Sequence, residues 1–174
     1  MSAIKIGPCD ELFSLLVRGR VDFTCEYCGT YYPPGRRQGI DCSHYIGRAN
    51  KRTRFDPDNA FAHCTKCHFF LGGNPHAFSR WAVLYLGEAR YDALAKRSNE
   101  LLKVNAAVYH SIRLHLKREL DIMTERRNLG EQGRIEFKAW DGTIAESAPR
   151  KSKPKKKSPL KKKLSGRVVK REAA

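Results

Sequence analysis

The sequence predicts an α+β fold: a small zinc-stapled core, helices appended to it, and a disordered basic tail. Three observations predict it. Two Cys-x-x-Cys pairs, Cys25/Cys28 and Cys64/Cys67, bracket a block rich in Gly and Pro with short strand-like pieces. Apolar residues recur at helical spacing before and after that block. Beyond residue 146, Lys, Pro and Ser dominate. The expected units are an N-terminal helical segment (1–20), the stapled core (21–73), a helical extension ending in a strand (74–146) and the Lys-rich tail (147–174).

The first helix is expected over residues 8–20. Pro8 stands near its start, Asp10 and Glu11 lie in its first turn, and Arg18 and Arg20 lie in its last, as the helix dipole favours. Leu12, Leu15 and Leu16 would form its buried face. Residues 21–73 hold too little apolar area for an independent core, so a metal is expected to hold them together; residues 37–45 read as strand. Asn74-Pro75 marks a new helix start, with a stripe of Phe78, Trp81, Leu84 and Tyr85 that Gly87 ends. A short helix follows over 89–98 and a longer one over about 100–126. The longer helix carries Leu101, Val104, Val108, Ile112, Leu116, Leu120 and Met123. That stripe suits packing on its own domain, with dimerisation as the alternative. Residues 134–140 alternate polar and apolar and predict a strand, closed by an Asp141-Gly142 turn.

Charge points to a polyanionic partner. The chain of 174 residues carries 34 Lys and Arg against 18 Asp and Glu, a formal charge of +16. Twelve basic residues and one acid lie between Ser147 and Ala174, so +11 of that excess sits in the tail. The tail's composition predicts disorder, and such a run favours phosphates by releasing their counterions. No run approaches the roughly 18 apolar residues of a membrane helix. Six cysteines without a visible secretory signal imply a reducing, cytoplasmic setting, where paired thiols hold metal rather than form disulfides. Cys9 and Cys42 fall outside the pairs and are expected to be small buried thiols.

Each Cys-x-x-Cys pair can aim two thiolates at one ion from a tight turn, and four complete the tetrahedral shell of structural zinc. The 35 residues between the pairs leave room for inserted strands. His63 and His68 flank the second pair as alternative ligands.

Inside the staple lies Asp41-Cys42-Ser43-His44. Hydrolysis of a phosphodiester needs a divalent cation to polarise the phosphate and a base to take a proton from water, a task suited to imidazole. Asp41 and His68 offer ligands for such a cation, Mg²⁺ or Mn²⁺, and His44 offers the base. A zinc joining the two knuckles would carry His68 to the strands bearing the other two. Asn59 could brace the intervening loop and so orient His44, although Asp-Asn after Pro57 is also an ordinary turn.

The order of these pieces resembles an HNH, or ββα-metal, nuclease of the phage NinG/Rap recombination type. The matching residues are Leu12-Phe13-Ser14, Cys25-Glu26-Tyr27-Cys28-Gly29, Ser43-His44-Tyr45, Arg54-Phe55, Asp58-Asn59, Cys64-Thr65-Lys66-Cys67 and Gly73-Asn74. The resemblance implies a phage-encoded DNA endonuclease acting on branched intermediates, working beside recombination proteins in the host cytoplasm or nucleoid. It implies His44 as general base, Asn59 as the middle Asn, and Asp41 and His68 as ligands of the catalytic metal. Ser43 departs from the acid or His that many HNH proteins place before the base.

Arg36, Arg37, Arg48, Lys51, Arg52 and Arg54 surround the proposed site and could position a DNA strand by its phosphates without reading bases. Tyr31 and Tyr32 suit stacking on a base or simple packing. Two other readings share these residues: a zinc-stapled DNA-binding protein without catalysis, and a site-specific homing or defence HNH nuclease. Removing residues 147–174 is expected to weaken DNA binding and flatten its salt dependence, measured by titrations across a salt series. An unchanged salt slope would exclude a phosphate-binding tail.

Overall fold

The computed structural model describes residues 4–34 and 39–143. The predicted disordered tail, and Arg36 and Arg37, lie outside them. Helix α1 (Pro8–Gly19) leads through the first cysteine knuckle to strand β1 (Ile40–His44). A loop and a 3-10 turn (Pro57–Asn59) lead back to β2 (Ala60–Cys64), which runs straight into α2 (Thr65–Gly73). Then come α3 (Pro75–Leu86), α4 (Glu88–Ser98) and α5 (Ala106–Asn128).

The two strands pair antiparallel, with Asp41 opposite His63 and His44 opposite Ala60. Alternation gives the sheet two faces. Ile40, Cys42, Ala60 and Ala62 pack with Phe13, Leu16 and Val17 of α1 and Val108, Ile112, Leu116 and Met123 of α5. Phe61 faces the other way, into a cluster with Leu71, Phe78, Leu86 and Leu94 from α2 to α4. The sheet therefore lies between two helical layers. Each fully buried Leu, Val or Phe in these layers contributes roughly 1.5–3 kcal/mol relative to exposure.

Several elements differ from their sequence signals. The long helix begins at Ala106, not near Glu100, because the Asn105 side chain accepts the Val108 amide at 2.9 Å and caps it there. Leu101 is left 98% exposed. The rest of the stripe lies against α1, as the packing alternative expects. Residues 134–140 form no strand. Their alternation is real, since Ile135 and Phe137 are buried in the core that α1 and α5 share with one face of the sheet, but they pair with no strand. Their tie to α1 is the Ile135 amide donating to the Arg20 carbonyl at 2.7 Å. Leu15 and Leu84 sit on solvent-facing sides of their helices. Gly87 ends α3 as expected, with φ at 77°, a conformation that a Cβ would strain. Cys9 is buried, and burial pushes the Cys42 thiol up to about 12, as befits inert thiols.

Arg20, expected to serve the helix dipole, is fully buried and paired with Glu26 of the first knuckle. Its guanidinium donates to both Glu26 oxygens at 3.2 and 3.1 Å and to the Pro57 and Ala60 carbonyls at 2.8 and 2.6 Å. Glu26 also accepts from the Ala62 amide (2.6 Å), the Tyr85 hydroxyl (2.7 Å) and Arg134. Burial alone would raise the Glu26 carboxyl. The charge and hydrogen bonds of Arg20, then Tyr85 and Arg134, outweigh it and hold the group below its ordinary 4.5. A carboxyl depressed in the folded state adds stability that is present above pH 4.5 and lost as pH falls through the folded value. Glu26→Gln strands the buried guanidinium and is expected to cost about 3–5 kcal/mol. Urea unfolding at neutral pH measures this, and the variant should lose part of the wild type's acid sensitivity.

Candidate functional site

The two knuckles meet. The Sγ atoms of Cys25, Cys28, Cys64 and Cys67 lie within 4.8 Å of one another, the one such group of three or more metal-ligating side chains among the described residues. The first knuckle is closed by a bridge between Thr24 and Tyr31, and Gly29 turns it with φ at 73°. The second is the junction of β2 and α2, so one thiol stands on the strand end and the other on the first helical turn. Cys28 Sγ and Cys64 Sγ are 3.9 Å apart. A tetrahedral zinc about 2.3 Å from each sulfur would set neighbouring sulfurs roughly 3.8 Å apart, whereas a disulfide needs about 2.05 Å. The backbone adds to the fit, since the Cys64 amide donates to Cys25 Sγ at 3.2 Å. The hydrogen bonds of Thr30 bring the Cys28 thiol down to about 6, while burial pushes Cys25 up. The four cysteines could hold a zinc ion.

His63 is excluded from that cluster by strand alternation. Its ring is buried among Tyr27, Phe61, Phe78 and Trp81, and burial pushes it down to about 4. Tyr32 packs against the cysteines, so of the two tyrosines it takes the packing role. Tyr31 is exposed.

His68 follows Cys67 on α2, and its Nδ1 lies 3.3 Å from Asp41 Oδ2 on β1. Residues 27 apart in sequence are thus brought together, both nearly half exposed. They line an open groove of about 1180 Å³ with His44, Arg18, Arg48 and Phe69. His44 projects from the face opposite Asp41, with its ring 5.8 Å from that of Phe13. Its Nε2 lies 2.9 Å from the Arg54 carbonyl. A carbonyl only accepts, so Nε2 carries the proton and Nδ1 keeps a lone pair. Burial lowers the His44 pKa from 6.5, against the opposing hydrogen bond to Arg54. The ring is therefore neutral at pH 7.

Asn59 is more than a turn residue. It is fully buried, its Nδ2 donates to the Ile46 and Thr53 carbonyls at 2.9 Å each, and its Oδ1 accepts the Ile46 amide at 2.7 Å. It thus cross-braces the 46–53 loop beside Arg54, whose carbonyl holds His44.

The basic residues divide. Arg48 lines the groove. Lys51 is exposed, and Arg52 pairs with Glu100 at 2.8 Å in a half-open position worth little. Arg54 is not available to a phosphate. It is buried, and it donates to both Asp10 oxygens at 2.9 Å and to the Lys5 carbonyl. Its carboxylate partner on α1, 44 residues away, left no local signal. Arg18 enters the groove instead, a role hidden behind its place in the last helical turn.

Fold and centre define a small α+β protein: five helices on a two-stranded sheet among the described residues, with a four-cysteine cluster suited to zinc. The chain belongs to the NinG family. A family profile described as Bacteriophage Lambda NinG protein matches residues 9–125, more than half of its length. No curated protein and no solved structure matches it. Among the described residues, no helix is long and apolar enough to cross a membrane.

Purified protein is expected to carry one zinc, read by elemental analysis, and Cys64→Ser to lose most of it together with thermal stability. A stable, zinc-free wild-type protein would exclude the metal staple.

Proposed function

We propose that this chain is a metal-dependent HNH-type endonuclease that hydrolyses DNA phosphodiesters, with preference for branched recombination or replication intermediates. The observation that carries this reading is the pairing of Asp41 and His68 at 3.3 Å in a groove that His44 also lines. Two further facts support it. The chain order β1–β2–α2 suits the core of such an enzyme. The family is named after a phage protein.

The Asp41 carboxylate suits Mg²⁺ or Mn²⁺, the His68 imidazole would be the second ligand, and two protein ligands leave positions for phosphate oxygens and water. Such an ion, when bound, polarises the phosphate and stabilises the leaving oxygen. The chain's own residues do the rest. His44 Nδ1 takes a proton from the attacking water, because Nε2 is committed to Arg54. Asn59 holds the loop that fixes this orientation. Arg48 and Arg18 offset phosphate charge along the groove. Contacts of this kind go to the phosphates rather than to base edges, which suits selection by DNA shape.

Incubation with Mg²⁺ or Mn²⁺ and forked, four-way, D-loop and linear DNA tests the reading. His44→Ala is expected to lower cleavage by roughly 10²- to 10⁴-fold while keeping zinc content and fold. A zinc-loaded wild type that nicks no substrate would leave a DNA-binding role, and equal cleavage of linear and branched DNA would remove the branch preference. Single-turnover cleavage is expected to rise as His44 loses its proton, with a midpoint below 6.5 and a plateau through neutrality. A midpoint above 7 would take the base role from His44.

A further inference from the structure

We infer that Phe69 is a stacking platform for an unpaired base, and that this ring selects substrates with a single-stranded nucleotide next to the scissile phosphate. The inference rests on reading the groove as a DNA site. Phe69 is 77% exposed, the most exposed aromatic residue among those described, and it lines the groove beside the Asp41–His68 pair. A phenyl ring held so far in water contributes nothing to the core. Its neighbour Phe70 differs: it is 48% exposed, lies with its ring 6.0 Å from Tyr27 of the first knuckle, and does not line the groove.

Position makes the occupant specific. The Phe69 ring centre is 6.5 Å from that of His68, one residue earlier on α2. A base is joined to its phosphate through a single sugar, so a phosphate at His68 brings an adjoining base to Phe69. Bases inside a duplex have both faces stacked on neighbours. The ring is therefore met only by a base that is unpaired or splayed out, as at a fork, flap or junction. Leu15 of α1, 40% exposed and also lining the groove, extends the apolar surface offered to that base. Stacking is indifferent to base identity, so this selection is for strand state rather than sequence.

The test uses the full zinc-loaded chain in buffer without Mg²⁺ or Mn²⁺, so binding is read apart from cleavage. The probes are a DNA fork carrying 2-aminopurine at the unpaired position of the branch and a fully paired duplex carrying it internally. The wild type is expected to quench the fork probe and not the duplex probe. Phe69→Ala should abolish the quench and lower the preference for fork over duplex by roughly 5- to 150-fold, while Phe69→Trp retains both. No quench by the wild type, or an undiminished quench and preference in Phe69→Ala, overturns the proposal. A protein that quenches through Phe69 yet never cleaves any substrate leaves the platform standing and removes the nuclease reading.

Discussion

The buried Arg20–Glu26 pair is the interaction on which the rest of the architecture hangs. It joins the end of α1 to the first cysteine knuckle, and through the Pro57, Ala60 and Ala62 backbone it holds the start and middle of β2. Tyr85 brings α3 to the same carboxylate, and Arg134 brings the C-terminal extended segment. Two charges out of water are costly, and this pair is tolerable because nearly every donor and acceptor around it is matched. Its value is positional: five segments can dock in one register only.

The cysteine cluster acts within that frame. Tyr27 and Tyr32 give the first knuckle some packing, and four thiols around one ion would supply the cross-link between the two knuckles. Because Cys67 lies on the first turn of α2, whatever fixes the sulfurs also fixes His68 against Asp41. The loop from Tyr45 to Asp58 is ordered by different means. Asn59 braces it from within, and Arg54 ties it to Asp10 of α1. His44 thereby donates its hydrogen bond to a backbone carbonyl of a braced loop, not to a mobile side chain.

Most polar groups serve either architecture or groove. The charges that hold the fold, Arg20, Glu26 and Arg54, have buried side chains with several partners each. Asp41 and His68 are half exposed, and Phe69 stands free of the core. Asp10 belongs to both sets, since it holds Arg54 and also lines the groove, and His44 commits only Nε2 to the fold, through the Arg54 carbonyl.

By itself the sequence determined what is local. Spacing put four cysteines in two knuckles, helical periodicity set α1, α3 and α4, and alternation marked the buried Ile135 and Phe137. Asp41, His44, Asn59 and His68 were legible as candidates because their residue types suit one chemistry. Tertiary structure decided the rest, since it depends on partners distant in sequence. Arg54 reads as a DNA contact until Asp10, 44 positions earlier, is folded against it. Residues 134–140 read as a strand because alternation reports a buried face but not whether another strand lies alongside. Arg20 and Glu26 look like surface charges, and only the docking of β2, α3 and the C-terminal segment around them makes them a core. His68 and Asp41 become a pair for the same reason: the fold, not the spacing, brings two half-exposed side chains to one mouth of one groove.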